Sequence, residues 1–417
     1  MKIKSIQSVK GTQDILPTEV HLWQKLERTI FQVMSKYSFK EIRTPAFEKT
    51  ELFSRSVGEQ TDIVSKEMYS WIDQGGEDLT LKPEVTAPVV RAFIQHNLGS
   101  ISPSVKLYYI DALFRRERPQ KGRYRQFHQF GAESFGSENP EADVEIIAVA
   151  SSIFKSIGIK NIKLKINSIG SKICRDNYRD ELRKFLKPHL RKLSDTSKVR
   201  FEKNPLRILD TKSPDEKALI IDAPNISDFL TSEDNSHFIE VKSFLKDIGI
   251  KFNIDHHLVR GLDYYNRTIF EFTSENIGSQ DAICGGGRYD NLVKDLGGKD
   301  TPGVGFAAGI ERILLALSTN EQIQNPDIYI VGFGNKAIKH VLICAEALRN
   351  NGFSVNTDLL RRSLKSQMKE ANKTRAKTAI LIGDKEIEQK KLQIKNLEDG
   401  KQYDIPFDSL VQHFKSL

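Results

Sequence analysis

The sequence predicts two folded units: an α+β domain whose strands run in antiparallel hairpin order, interrupted by a helical insertion, and a C-terminal α/β three-layer domain. Three observations predict this. The runs KLYYIDALFRRE and YRQFHQFGAESFG alternate with period two around a polar, basic RPQKGR turn, the pattern of a β-hairpin. From about residue 171 to 250 the chain becomes rich in Lys, Arg, Asp and Ser, and Leu182, Phe185, Leu186, Leu190 and Leu193 recur at helical spacing. The last ninety or so residues alternate strand and helix as βαβαβ, which demands a small mixed sheet between helices. The boundaries expected are 1–325 for the first domain, with the insertion at 171–250, and 326–417 for the second.

Length and composition narrow the class. A chain of 417 residues, 39% hydrophobic and 28% charged, buries a large core without disulfides or metals and is not wholly disordered. No apolar window is long enough to cross a bilayer, so no membrane association is expected, and MKIKSIQSVKGTQDILP lacks the apolar core of a signal peptide. Cys174, Cys284 and Cys344 are distant and odd in number, which predicts neither a disulfide framework nor a zinc site and places the chain in the reducing cytoplasm. The net charge of +8 leaves two readings open, a polyanionic partner or solubility through excess lysine.

The elements follow in order. Val20, Trp23, Leu26, Ile30, Val33 and Tyr37 make an apolar stripe, predicting a helix over 18–37 after Pro17. Pro45 confines the next strand to an edge or an end. LTLKPEVTAPV leads into a helix near 87–98, the hairpin follows, and 141–157 is helical again. NIKLKIN (161–167) alternates as a strand, and β patterning returns at 251–274. CGGGRYD reads as a glycine-rich turn before a helix near 289–296. TPGVGFAAGIERILLALS reads as strand, glycine turn and helix, and NEQIQNP (320–326) as a linker.

Four clusters carry possible chemistry. On the returning hairpin arm Phe127, Gln129, Gly131 and Glu133 share one face, while His128, Phe130 and Ala132 share the other. The first face joins an aromatic platform, an amide, bare backbone and a carboxylate; it is either a sheet face open to water or a binding surface. The tip holds Arg115, Arg116, Arg118, Lys121, Arg123 and Arg125, an arginine-rich group suited to phosphate. Glu84 and Thr86 lie two apart in LKPEVTAPV, where they either receive an ammonium group or cap the following helix. In HHLVRGLDYYNRTIFEF, Arg260 can stabilise negative charge and Tyr264 and Tyr265 can bond a heteroaromatic nitrogen; the alternative is an ordinary turn with an exposed ion pair. His256 and His257 are adjacent on a strand and face opposite ways, which argues against a shared metal. GVGFAAGIERILLAL places small residues before a helix carrying Arg312, in a pattern unlike P-loop or Rossmann turns.

These segments resemble the class II aminoacyl-tRNA synthetases, and among them the bacterial type of the histidyl family. The first motif is similar at Pro45, the second at Phe114, Arg115 and Glu117 followed by Arg123 and Phe127, and the third at Gly309 and Arg312. LVRGLDYYNRT (258–268), CGGGRYD (284–290) and KGTQDILP (10–17) resemble histidine-specific stretches. The resemblance implies a class II catalytic domain with its antiparallel sheet, an insertion over the tRNA acceptor arm, an anticodon-binding C-terminal domain and a homodimer. It implies that Glu84, Thr86 and Gln129 bind the amino-acid head group beside Val85, which stands where a glycine is frequent, as Lys82 stands for an arginine. Glu133 and Tyr265 would read the imidazole nitrogens, with Tyr264 lining the pocket. Arg115 would hold the ATP α-phosphate and Arg123 the γ-phosphate; Phe127 and Arg312 would enclose the adenine; Glu117 belongs to the ATP-binding set. Arg260, with Arg115 the catalytic pair, would stabilise charge at the α-phosphate while also touching histidine.

The implied reaction joins L-histidine and ATP into histidyl-adenylate and pyrophosphate, then transfers histidine to the terminal ribose of tRNA(His). It needs positioning and charge neutralisation but no side-chain nucleophile. ATP enters with Mg2+, whose ligands the sequence does not identify, and no zinc is expected. Rival readings of the same segments are a class II paralogue acting as the histidine-sensing partner of ATP phosphoribosyltransferase, a binding module that keeps the fold without catalysis, and a threonyl or prolyl sister synthetase.

Overall fold

The computed structural model describes residues 5–58, 61–211, 213–277, 282–317 and 325–416. The chain divides into two compact units, Met1–Asn320 and Glu321–Leu417. That division falls five residues before the expected boundary, within a proposed linker of which 320–324 lie outside the described residues.

The first unit holds strands β1 (Lys40–Glu41), β2 (Phe47–Lys49), β3 (Tyr69–Ile72), β4 (Asp78–Leu81), β5 (Val105–Phe114), β6 (Gln126–Phe135), β7 (Ile162–Ser168), β8 (Asn253–Ile254), β9 (Asn266–Ser274), β10 (Ala282–Arg288) and β11 (Gly303–Gly309). Eight of them form one sheet in the order β1-β5-β6-β11-β10-β9-β7-β8, while β2-β4-β3 form a small sheet apart. The six central strands pair antiparallel, and only the two-residue edge strands β1 and β8 pair parallel. The expected hairpin is β5–β6, in register from Val105 opposite Phe135 to Phe114 opposite Gln126.

The two faces of this sheet have different fates. Tyr108, Phe130, Ala132, Phe306, Ala308, Phe270 and Phe272 face a core completed by helices Val20–Lys36 and Pro140–Ile157. Phe238, Val241 and Leu245 of helix Ser232–Asp247 pack into that same core, although the sequence placed this helix in the insertion. Its apolar stripe joins the main domain, so the segment more distinct from the sheet core ends before it. The opposite face meets helix Thr86–Gln95 and the insertion helices, with Val89, Val90, Tyr178, Leu182, Leu186 and Ile269 in a second core.

Glycine reading misled at CGGGRYD. Cys284–Arg288 lie inside β10 rather than in a turn. Glycine is normally poor in strands, but each of these positions is crowded. A Cβ on Gly286 would fall 2.3 Å from the Gly305 carbonyl oxygen, and one on Gly287 would fall 2.6 Å from that of Thr268. The helix expected near 289–296 shortens to Leu292–Asp295. β11 passes straight into helix Ile310–Ala316 with Gly309 as its N-cap, so no separate turn intervenes.

The second unit is a three-layer α/β structure. Its strands are β12 (Ile328–Gly332), β13 (Val355–Thr357), β14 (Thr378–Ile382), β15 (Lys391–Asn396) and β16 (Gln402–Pro406), ordered β13-β12-β14-β15-β16. The first three are parallel and the last two antiparallel. Helices Ala337–Arg349 and Leu410–Ser416 cover one face through Val341, Leu348, Leu410 and Phe414. Ala371 of helix Leu364–Lys373 packs on Tyr329 and Val331 of the other face. β15 had not been expected, because KLQIKN follows a charged stretch without a strong turn signal.

Candidate active site

A cavity of about 370 Å³ opens on the second face of the large sheet. Its floor follows from register. Tyr109, Gly131, Ala307, Gly285 and Glu271 stand opposite one another across β5, β6, β11, β10 and β9. Of these, Ala307 and Gly285 on β11 and β10 line the depression beside Tyr109, while Gly131 and Glu271 lie outside its wall. The backbone at Gly131 is not bare as the sequence suggests: a Cβ there would fall 2.3 Å from the Tyr109 hydroxyl, which covers it.

Behind Thr86 and Tyr109 at one end, and outside the cavity wall, lies a buried carboxyl group. Glu133 is fully buried on β6 and accepts hydrogen bonds from Thr86 Oγ1 at 2.8 Å, from the Tyr109 hydroxyl at 3.4 Å and from the Tyr289 hydroxyl. Burial pushes its pKa up to about 8; the three hydroxyls oppose that shift and neighbouring Glu84 adds to it. Gly305, opposite Glu133 in register, leaves no alternative residue: a Cβ there would lie 1.7 Å from Glu133 Oε2. Tyr264 and Tyr265 close this end, with rings 4.6 Å apart and Tyr264 5.6 Å from Tyr289.

The capping reading of Glu84 is observed directly, and it leaves the carboxylate facing the cavity. Its carboxylate accepts from the backbone N–H of Thr86 at 2.9 Å and of Ala87 at 2.8 Å, capping helix Thr86–Gln95. It also lines the cavity with Val85, Thr86 and Gln129. A carboxylate has acceptor capacity beyond two bonds, so capping leaves room for an ammonium donor. Burial raises Glu84 to about 7 against the lowering effect of these N–H groups and Arg115.

The other end is cationic. Arg115 donates Nε to the Pro83 carbonyl at 2.9 Å and lays its guanidinium over Phe127, 5.2 Å from the ring centroid. The aromatic platform expected for a base is therefore faced by Arg115. Arg123 lines the cavity and pairs with Glu117 at 3.2 Å. Phe127, Glu117 and Arg312 lie outside the cavity wall, although the Arg312 side chain lies within 3.5 Å of where a Cβ on Gly122, in the hairpin tip, would stand. The 10–17 segment lies on the same tip, where Arg125 N–H donates to the Gly11 carbonyl at 2.7 Å.

Arg260 stands between the two ends. Its Nη1 donates to Glu271 at 2.9 Å, while its Nε is buried without a hydrogen-bond partner. The guanidinium lies directly on Gly285, whose absent Cβ would be 1.9 Å from Nη2. A partly buried guanidinium with an unused Nε donor beside a cavity is suited to an anion that is not part of the chain.

Sequence reasoning missed several contributors. Tyr109 and Tyr289 were not assigned, although strand alternation and CGGGRYD contained them. The insertion brings Arg200, Arg207 and Asp210 to the rim, where Arg207 donates to Asp263 at 3.0 Å and to the Gly261 carbonyl at 3.2 Å. No local pattern marked those residues. His256 and His257 lie in a turn after β8, not on a strand, so strand alternation does not apply to them; among the described residues no group of three or more His, Cys, Asp or Glu is arranged for an ion.

Comparison with known proteins adds an independent line. The family model described as Histidyl-tRNA synthetase matches residues 11–313, and that described as Anticodon binding domain matches 327–417. A histidine–tRNA ligase of Thermoanaerobacter sp. (strain X514) is 48% identical over 412 residues, covering 98% of this chain and 99% of that one. One from Listeria innocua is 46% identical over 414 residues, covering 98% and 97%. The crystal structure of apo S. aureus histidyl-tRNA synthetase superposes with a TM-score of 0.83 at 39% identity, covering 99% of this chain and 100% of that one.

Proposed function

From the premise that this chain belongs to the histidyl-tRNA synthetase family, we propose that the cavity takes histidine at its Glu133 end and ATP at its Arg115 end. The chain is an enzyme, a class II ligase that charges tRNA with L-histidine in an ATP-dependent reaction. The sensor and sister-synthetase readings gain nothing from relatives that match as ligases along nearly the whole chain.

The observation that carries the residue assignment is the buried Glu133 carboxyl, held by three hydroxyls of which two, on Thr86 and Tyr109, belong to residues lining the cavity with Arg115, Arg123 and Arg260. Glu84 and Gln129 receive the α-ammonium, with Thr86 fixing both carboxylates and Val85 forming the wall. Glu133 accepts from one imidazole nitrogen and the Tyr265 hydroxyl meets the other; Tyr264 packs alongside. Such paired readout rejects analogues because it leaves buried groups unbonded. Arg115 binds the α-phosphate, Arg123 and its partner Glu117 the γ-phosphate end, and Phe127 and Arg312 the adenine.

The histidine carboxylate attacks the α-phosphorus in line and pyrophosphate leaves. Arg260 and Arg115 neutralise the charge that gathers on the α-phosphate oxygens, in a site already arranged for it. No side chain becomes covalently attached. Mg2+ accompanies ATP as part of that substrate and is assigned no ligand in the chain. The terminal ribose hydroxyl of tRNA(His) then attacks the histidyl carbonyl, and AMP leaves. The insertion meets the acceptor arm with its basic helices, and the second unit meets the anticodon.

A homodimer fits the apolar side chains exposed on the small sheet, where Phe47 and Trp71 pack edge to face at 6.0 Å beside exposed Ile72. The cytoplasm fits three unpaired, buried cysteines. Histidine-dependent ATP–pyrophosphate exchange, run beside other amino acids, tests the assignment. Exchange with histidine alone supports it, and exchange with none overturns it.

A further inference from the structure

The proposed histidine end rests on a buried support that substrate does not reach. β10 ends in Arg288, which is wholly buried. All five of its N–H donors are used. Nε donates to Asp143 Oδ2 at 3.0 Å, Nη1 to the Ser137 carbonyl at 2.8 Å and to Asp290 Oδ1 at 3.0 Å, and Nη2 to the Asn139 carbonyl at 3.0 Å and to Asp143. Asp143 sits on helix Pro140–Ile157, and His237 Nε2, from helix Ser232–Asp247, lies 3.4 Å from its Oδ2.

From this anchor two links run toward the site. Asp290 and Asn266 exchange two hydrogen bonds, Asn266 Nδ2 to Asp290 Oδ2 at 2.7 Å and Asp290 N–H to Asn266 Oδ1 at 2.9 Å. Asn266 directly follows Tyr265. Tyr289 stands between Arg288 and Asp290, its N–H bonded to the Gly303 carbonyl at 2.7 Å and its hydroxyl to Glu133 Oε2. A buried ion pair contributes little net stability against apolar residues of the same volume. A fully used guanidinium fork fixes geometry instead.

We propose that Arg288 is a positioning residue for histidine recognition. It holds Tyr289 against Glu133 on one side of the imidazole subsite and, through Asp290 and Asn266, Tyr265 on the other. The inference rests on the reading of Glu133 and Tyr265 as imidazole partners. Glu133 faces Thr86, Tyr109 and Tyr289, with Glu84, Tyr264 and Tyr265 as its further titratable neighbours; Arg288 faces Asp143 and Asp290, and His237 meets Asp143.

The test uses full-length Tyr289→Phe, Asp290→Asn and Arg288→Lys enzymes beside Glu133→Gln, in ATP–pyrophosphate exchange across pH. Each of the first three should raise the histidine KM about tenfold, the loss expected of one hydrogen bond to a charged group, while the ATP KM moves by less than about twofold. Lysine keeps the charge of Arg288 but not its planar fork. In Tyr289→Phe the acidic limb of kcat/KM for histidine should also move to higher pH, because ionised Glu133 loses a donor. Lower melting temperatures with an unchanged histidine KM and pH limb would reduce Arg288 to a structural role and overturn the proposal. Should Arg288→Lys fail to fold, the other two variants decide. If Glu133→Gln weakens histidine and ATP equally, the imidazole reading itself falls. If Glu133→Gln is selective for histidine while Tyr289→Phe and Asp290→Asn are silent, that reading stands and this inference does not.

Discussion

Gly285→Ala is expected to disable adenylation while leaving the fold intact. The added Cβ would lie 1.9 Å from Arg260 Nη2, 2.2 Å from Cζ and 2.4 Å from Nη1. Carbon and nitrogen atoms settle at about 3.5 Å or more, so the guanidinium must retreat by about 1.5 Å. Gly285 lies within a strand without a positive φ, so alanine fits its backbone. What must move is the end of a flexible side chain, so melting should change little. Glu271, opposite Gly285 in register, loses its 2.9 Å bond to Arg260 as the guanidinium shifts. A displacement of about 1 Å in a positioned group costs about 100-fold in rate, or about 2.7 kcal/mol. Histidine-dependent ATP–pyrophosphate exchange and a thermal melt form the assay. Gly286→Ala is the contrast: its Cβ would meet the Gly305 carbonyl oxygen at 2.3 Å, a backbone atom, so stability should fall instead. Near-normal exchange by a stably folded Gly285→Ala enzyme would refute the placement of Arg260 at the reacting phosphate. Because both changes act on one group, Arg260→Ala,Gly285→Ala should be no slower than Arg260→Ala alone.

Arg260→Ala should cost on the order of 3 kcal/mol or more of transition-state stabilisation, read as kcat/KM in the same exchange assay; near-normal adenylation sinks its catalytic role. Glu133→Gln should weaken histidine binding more than ATP binding, and equal effects in titrations of each would remove Glu133 from the imidazole subsite. With Glu84 raised to about 7 and Glu133 to about 8, the unfolded chain ionises these groups first. The empty enzyme should therefore lose stability as pH rises from the ordinary carboxyl range toward 8, measured as melting temperature against pH. In the proposed pose histidine meets both groups ionised, so its binding should release protons at neutral pH, read by calorimetry in buffers of different ionisation enthalpy. Asp143→Asn removes one of the two carboxylates paired with buried Arg288, leaving Asp290, and should cost about 3 kcal/mol in denaturant unfolding.

Much of the fold was legible because it is written in local period. The hairpin, the helices at Val20–Lys36 and Pro140–Ile157 and the C-terminal alternation each show their buried face within a dozen residues. The errors fell where a neighbour overrides local preference. Glycines 285–287 are strand residues because Arg260, a carbonyl of β11 and a carbonyl of β9 crowd them. Helix Ser232–Asp247 shares the composition of the insertion but not its packing. At the site, Glu133, Glu84 and Arg260 stood out because charge on otherwise structural segments requires a partner.

The sequence by itself determined which side chains share the returning arm of the hairpin, that Glu84 begins a helix, that arginine gathers at the hairpin tip, and the family. These depend on side-chain chemistry and on the periods of strand and helix, both readable along one stretch of chain. Only the tertiary structure decided that Thr86, Tyr109 and Tyr289 converge on one carboxyl, that Arg260 rests on Gly285, and that Arg288 stands behind the pocket. Tyr289 lies 156 residues from Glu133. Their meeting depends on the register of β6 with β11 and of β11 with β10. Register between strands distant in sequence is selected by the packing of the whole sheet, and desolvation of Glu133 exists only once that sheet is covered.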